Sequence, residues 1–321
     1  MKLIIQIPCF NEEHTLAATV GDLPRTVAGF DAVEYLVVDD GSTDGTVAAA
    51  RACGVHHVVS LPRNRGLAFA FAAGLDAALR RGADAVVNTD GDNQYRGEDV
   101  AELVAPIQDG RADMVIGVRP IGEIGDFSPL KKLLQRIGSA TVSLLAGVRV
   151  PDAASGFRAF SREAAKRLLV TSRFSYTLET IIQAPAKELA IACVPIRTNP
   201  ATRPSRLFRS TATFLLRSAG TIGRVFVVYR PFAFFSTLGA LLFTPGVALG
   251  ARFIYFFAMG EGRGHVQSLI LAAVLLLGGF QLFLTGLLAH LSATNRRLAE
   301  ELLVRVRSLE LEKCQERGVR G

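Results

Sequence analysis

Asp90 and Asp92 stand on either side of Gly91, where a short apolar run ends in the stretch AVVNTDGDNQY (Ala85–Tyr95). Carboxylates beside a core are costly unless a cation, a basic partner or solvent meets them. Gln94 adds a neutral oxygen on the same loop. Hard oxygen ligands suit Mg²⁺ or Mn²⁺, and Mg²⁺ is usually held by one or two carboxylates together with substrate phosphates. A metal held in that way neutralises a diphosphate and improves it as a leaving group. An acidic triplet alone is a common loop tip, so its surroundings decide what it does.

Those surroundings alternate strand-like and helical patterns. Leu3–Pro8 precedes a helix near Glu12–Val20, and Tyr35–Asp40 precedes a helix that Ser42, Thr43 or Asp44 could cap. His57–Leu61 leads into an Ala-rich helix from Gly66 to about Arg80. The Asp90 loop is followed by a helix near Glu98–Ile107 and a strand at Met114–Arg119. Apolar strands between helices predict a mostly parallel sheet covered on both faces, an α/β fold. Ligands of such sheets bind beyond the carboxyl ends of the strands. Asn11, Asp39, Asp40, Asp90, Asp92 and Arg119 all fall there, which predicts one site.

The bulk properties add a membrane. The 321 residues are 50% hydrophobic with mean hydropathy +0.31, and the apolar excess gathers in Phe232–Leu291. About 232–258 and 266–291 each reach the roughly 20 residues that a hydrocarbon core requires. Only GEGRGH (Gly260–His265) separates them, so they predict a hairpin with both chain ends on one side. The net charge of +7 calls for an anionic partner. Arg203, Arg206, Arg209, Arg217, Arg224 and Arg230 form a collar before the spans, and Arg296, Arg297, Arg305 and Arg307 follow them. That placement favours lipid headgroups, with no nucleic-acid-binding pattern visible. It also puts the globular part and the tail in the cytoplasm. The expected organisation is a catalytic domain over 1–209, a basic juxtamembrane segment over 210–231, spans within 232–291 and a cytoplasmic tail over 292–321. In that tail Asn295–Glu316 reads as an amphipathic helix, solvated or self-associating. Small residues such as Gly278 and Gly279 would let the hairpin pack on a second copy, leaving a homo-oligomer open. Four scattered cysteines without a CxxC pair predict no disulfide framework.

IPCFNEE, VVDDGSTDGT, NRGLAFAFAAGLD, TDGDNQY, VIGVR and DAASGFRAF occur in the order that resembles glycosyltransferase family 2, and within it the dolichyl- and polyprenyl-phosphate sugar synthases. The likeness covers about 1–209, and the added hairpin suits bacterial, inner-membrane members. It implies a GT-A (Rossmann-like) fold and an inverting, metal-dependent transfer from a UDP- or GDP-sugar to a polyprenyl phosphate. Position by position, it implies that Pro8, Asn11 and Glu12 line the nucleotide pocket and that Asp39, beside Asp40, recognises the base. It further implies that Asp90, Asp92 and Gln94 hold Mg²⁺ or Mn²⁺ and the donor diphosphate. Arg119 would approach a phosphate, Asp152 and Arg158 would face the acceptor, and Arg203, Arg206 and Arg209 would meet the lipid phosphate. Tyr95 departs from the His-Pro common in relatives.

A phosphate acceptor is largely dianionic at pH 7, because its second pKa is near 6, and needs positioning more than proton removal. Asp152 could therefore orient a basic residue or the sugar as readily as act as a base. Asp39 and Asp40 could instead cap the following helix. Competing readings are a family 2 transferase acting on another glycolipid or polysaccharide, a nucleotidyltransferase, and a non-catalytic membrane scaffold. The polysaccharide synthases carry a QxxRW motif, which a chain without tryptophan cannot have. A nucleotidyltransferase should show a Gly-rich, basic loop where this chain reads PCFNEE.

Overall fold

The computed structural model describes residues 1–120, 129–170, 176–200, 220, 223, 227, 230–260, 264 and 266–319. Arg203, Arg206, Arg209, Arg217 and Arg224 lie outside the described residues. The chain divides into two compact units, Met1–Ala219 with Leu303–Gly321, and Gly220–Leu302.

The first unit is built on a seven-stranded sheet. Its strands are β1 (Lys2–Cys9), β2 (Ala32–Asp39), β3 (His57–Ser60), β4 (Ala85–Asn88), β5 (Met114–Val118), β6 (Arg158–Ser161) and β7 (Ile191–Pro195). Between them run α1 (Leu16–Asp22), α2 (Thr46–Ala52), α3 (Leu67–Arg80), α4 (Val100–Gln108), α5 (Pro129–Ala146), α6 (Arg162–Arg167) and α7 (Tyr176–Ala186). Spatial order is β3-β2-β1-β4-β6-β5-β7. All neighbours pair in parallel except β6, which is antiparallel to both β4 and β5. The reversal has a consequence for the site. Asn88 at the end of β4 pairs with Arg158 at the start of β6, so DAASGF before β6 arrives at the edge where β1, β2 and β4 end.

The strand interiors are apolar because both faces are covered. Leu3, Ile5, Ile7, Val37, Val87, Val115 and Phe157 form one core with Leu16, Leu103 and Val104 from the helices. On the other face α3 comes unusually close to β1. A Cβ on Gly74 would crowd the Gln6 carboxamide and Val38 Cγ2, so a larger residue there would force those side chains to move.

Two expected elements differ. The helix expected from Glu12 starts at Leu16. Asn11 is left-handed (φ 56°), and the Glu12 and Glu13 amides donate to Thr46 Oγ1 and Asp44 Oδ2, which ties this stretch to the β2–α2 loop. The tail helix expected over Asn295–Glu316 is present, and it continues from the second apolar span: residues Val266–Val319 form one helix, α9. Its last turns belong to the first unit, where Arg307 donates to the carbonyls of Ala165 and Lys166 and pairs with Asp76 at 3.3 Å.

The second unit holds α8 (Pro231–Ala258) and the earlier part of α9. Both are long and apolar enough to cross a membrane, with mean hydropathy 1.7 and 2.2. Their apolar side chains point outward; Leu241 and Leu277 are each 70% exposed. Glycines let the helices approach one another, for a Cβ on Gly239 or Gly279 would meet the other's carbonyl oxygen at 2.9 Å. Gly279, expected to serve self-association, is thus used within the hairpin. Pro245 is accommodated inside α8, as apolar helices of this kind tolerate.

Candidate active site

The loops after β1, β2 and β4 meet in a web of side-chain-to-backbone bonds. Asn11 Oδ1 accepts from the Thr43 amide and Ser42 Oγ from the Asn11 amide, both at 2.9 Å. Asp39 Oδ1 accepts from the Ser42 amide at 2.9 Å. Asp40 accepts from the amides of Arg65 and Gly66 at 2.8 Å each, immediately before α3. Asp40 thus ties the turn before α3 and does not cap the following helix, α2, whose N-cap is Gly45, while Asp39 holds the tight turn at Gly41 (φ 71°). Pro8 is buried in β1 opposite Val38.

The Asp90–Gln94 loop is held from below and from the side. Thr15 and Thr19 hydroxyls both donate to the Gly91 carbonyl, at 2.8 and 3.1 Å, and Thr15 also donates to Glu12 Oε2 at 2.8 Å. The Gln94 amide donates to Asp92 Oδ1 at 3.3 Å, over a left-handed Asn93 (φ 56°). Beneath lies a buried polar cluster. Asn88 Nδ2 donates to the Gly156 carbonyl and Tyr176 Oη, at 2.8 and 2.9 Å, while Gln6 Nε2 donates to Asn88 Oδ1. Tyr95 Oη accepts from the Gly156 amide at 3.0 Å, and its ring stacks on Phe157. The residue that departs from relatives therefore joins the acidic loop to DAASGF.

Asp90 is pushed up from 3.8 to about 7, first by burial and then by Asp92 and Glu12, with Arg119 and Arg158 opposing. Among the described residues no three His, Cys, Asp or Glu side chains cluster as an all-protein metal cage. Two carboxylates one residue apart, one of them kept from ionising by burial and by the other's charge, are a donor set for one hard divalent cation whose remaining ligands come from phosphates. The residues present fit that group. The sign of the pH effect follows. Between about pH 4 and 7 the metal-free folded chain keeps a proton that the unfolded chain releases, so this group's contribution to stability falls as pH rises. Asp90→Asn should raise the unfolding midpoint relative to the wild type in EDTA more at pH 8 than at pH 5. An equal shift at both pH values contradicts the raised carboxyl.

Gly156 lies against this carboxylate. A Cβ there would be 2.8 Å from Asp90 Oδ2 and 3.0 Å from both Oδ1 and Tyr176 Oη. Gly156→Ala should leave the chain folded yet weaken Mn²⁺ binding by about tenfold or more, as measured by titration calorimetry. Unchanged binding would show that Asp90 is not confined there.

Asp152 and Arg119 form the second half of the site. Arg119 Nε donates to Asp152 Oδ2 at 2.7 Å and Nη2 to Oδ1 at 3.0 Å. The Arg119 amide and Gln135 Nε2 add longer bonds, both 3.4 Å. Asp152 is 0% exposed and its Arg119 partner 13%. A carboxylate so occupied orients its arginine, and of the roles left open for Asp152 this is the one its geometry fits. Burial works against the Arg119 charge, but Tyr95, Asp152 and Asp90 raise its pKa. Arg158, expected to face the acceptor, is corrected. It is fully buried and donates to the carbonyls of Ser155, Thr177 and Ala153 and to Thr180 Oγ1. It braces DAASGF against α7.

A family model described as "Glycosyl transferase family 2" matches residues 4–169. The chain belongs to glycosyl transferase family 2. The transferase is 32% identical over 174 residues to polyprenol monophosphomannose synthase of Mycolicibacterium smegmatis, covering 52% of this chain and 64% of that protein. It is 24% identical over 305 residues to dodecaprenyl-phosphate galacturonate synthase of Rhizobium johnstonii, covering 91% of this chain and 88% of that one. Among solved structures it resembles glucosyl-3-phosphoglycerate synthase from Mycobacterium tuberculosis in complex with Mn²⁺, UDP and glucosyl-3-phosphoglycerate. There the identity is 25% and the TM-score 0.53, covering 70% of this chain and 78% of that one. The expected GT-A sheet and glycosyltransferase class both hold.

Asn88, Tyr176, Gly156, Thr15 and Thr19 were not singled out from sequence. Asn88 carried a signal, as the one polar residue closing an apolar strand. Tyr176 carried none, because α7 brings it from 88 residues away.

Proposed function

We propose that this transferase moves a sugar from a nucleoside diphosphate to polyprenyl phosphate, with inversion, at the cytoplasmic face of an inner membrane that α8 and α9 span. The observation that carries this reading is the site itself. Asp90 and Asp92 end one strand, the Arg119–Asp152 pair stands at the same sheet edge, and the same chain has two outward-facing apolar helices. The names of the polyprenyl-phosphate relatives support the acceptor, and the Mn²⁺ and UDP bound by the solved relative support the metal and donor class.

In this reading Pro8, Asn11, Glu12 and Asp39 bind the nucleotide, while Asp40 fixes the loop that leads to α3. Asp90, Asp92 and Gln94 hold Mg²⁺ or Mn²⁺, which neutralises the diphosphate when bound. The bond from the anomeric carbon to the diphosphate oxygen breaks as a bond to an acceptor phosphate oxygen forms. The acceptor is already dianionic, so no proton has to be removed. Arg119, aimed by Asp152, offsets phosphate charge, and Arg203, Arg206 and Arg209 meet the lipid phosphate. Residues 1–209 and the tail lie in the cytoplasm, and the hairpin confines the enzyme to its acceptor's leaflet, which raises the effective acceptor concentration.

The test offers purified full chain a panel of radiolabelled nucleotide-sugars with polyprenyl phosphate and Mn²⁺, counting label in the organic phase. Metal-dependent label from one donor is expected. No transfer from any donor contradicts the reading.

A further inference from the structure

At one end of the hairpin, the start of α8 and the middle of α9 enclose a cavity of about 270 Å³, close to the lower end of the range for small-molecule sites. Arg230, Phe232, His290, Thr294 and Arg297 line it. Contacts within the hairpin fix this register. A Cβ on Gly286 would lie 3.0 Å from Phe235 Cβ, and the Phe232 ring meets Phe283 and His290 edge-on, with centroids 5.6 and 6.2 Å apart.

The cavity's level along the helices decides what it could hold. On one side are Leu287, Leu288 and Leu291, which are 45%, 65% and 55% exposed, the apolar surface a bilayer would cover. On the other side α9 turns abruptly to charge with Arg296, Arg297, Glu300 and Glu301. The cavity therefore sits where the headgroups of a bilayer lie once the hairpin spans it.

Arg296 pairs with Glu300 at 3.4 Å, whereas Arg230 and Arg297 have no acidic partner among the described residues. Two guanidinium groups lining one cavity repel each other at a low-dielectric boundary, and an anion between them removes the penalty. Guanidinium forks match phosphate oxygens in pairs, which a zwitterionic choline headgroup would partly cancel. The imidazole of His290 supplies a further polar contact on the same wall, and the Phe232 ring an apolar one for the start of an acyl chain.

We propose that this cavity binds the phosphate headgroup of an anionic phospholipid, a site built wholly from hairpin residues and independent of the transfer chemistry. The proposal rests on the reading that the hairpin spans a membrane. The full chain in detergent would be titrated with phosphatidylglycerol, phosphatidylcholine or undecaprenyl phosphate, and the bound lipid counted by native mass spectrometry. The variant is Arg230→Gln with Arg297→Gln. A control, Arg305→Gln with Lys313→Gln, removes the same charge elsewhere on α9.

The wild type and control should retain one phosphatidylglycerol, with affinity about tenfold or more lower in the Arg230/Arg297 variant. Phosphatidylcholine should not be retained. Equal retention of phosphatidylglycerol by wild type and variant, or of phosphatidylcholine and phosphatidylglycerol by the wild type, overturns the proposal. So does undecaprenyl phosphate displacing phosphatidylglycerol at equal concentration, since the acceptor would then be the occupant. Flotation with liposomes tests the premise separately. All three proteins should float, and a wild type that stays in solution overturns the spanning reading together with this site.

Discussion

Replacing Asp92 by asparagine should lower sugar transfer by at least about a hundredfold while leaving the fold and membrane insertion intact. The change is nearly isosteric and falls in a loop whose anchors lie elsewhere. The Gly91 carbonyl is held by Thr15 and Thr19, and Asp90 packs over Gly156, so the loop keeps its place without the Asp92 charge. What is lost is one of the two carboxylates that make a divalent cation favourable there. The expected signature is a loss of Mn²⁺ affinity and of kcat together, with an unfolding midpoint in EDTA no lower than the wild type's, because the Asp92 charge repels the buried Asp90 carboxylate. Near-normal transfer by this variant would remove the metal assignment.

Replacing Asp152 by alanine should cost about 3–5 kcal/mol of stability, because it strands a largely buried Arg119 without its partner. Asparagine keeps one acceptor oxygen and should cost less, yet it loses the two-pronged grip at 2.7 and 3.0 Å. Transfer should fall in both variants. A base and a positioning residue predict different patterns. A base would leave a pH–rate profile that loses its acidic limb in the asparagine variant. A positioning residue leaves the profile's shape unchanged, and Arg119→Lys should reproduce the loss of transfer, because lysine cannot make the paired contact. A missing acidic limb with full stability would restore Asp152 as the base.

The sheet was legible because its strands are buried on both faces and therefore read as apolar runs. The helices covering them carried helical periodicity, although α1 to α4 have no side-chain cap. The reversed β6 was not legible. Its four residues, RAFS, show no direction, and only the pairing of Asn88 with Arg158 reveals it. The start of α1 was misplaced for a local reason, since Glu12 and Glu13 have good helical propensity but spend their amides on Thr46 and Asp44. That override comes from residues more than 30 positions away and leaves no periodic trace.

The candidate site was legible as a cluster of polar residues at strand ends, since the topology forces those ends to one edge. The roles within it were less so. Arg119 closes one apolar strand and Arg158 opens another, so in sequence both read as strand-end arginines. One is consumed by four protein acceptors and the other is aimed by a carboxylate. Side-chain direction separates them, and β6 running backwards is what turns Arg158 into the protein. The tail helix was legible from its periodicity, whereas its continuity with the span before it was not, because charge replaces apolar residues midway along α9 and in sequence reads as an end.

The likeness to glucosyl-3-phosphoglycerate synthase raises a rival acceptor, a small phosphorylated acid in place of a lipid. The most direct test offers the full chain both acceptors side by side, polyprenyl phosphate and 3-phosphoglycerate, with one labelled nucleotide-sugar and Mn²⁺. Label entering the organic phase with polyprenyl phosphate alone is the predicted result. Label carried only onto 3-phosphoglycerate, remaining in water, would contradict the account.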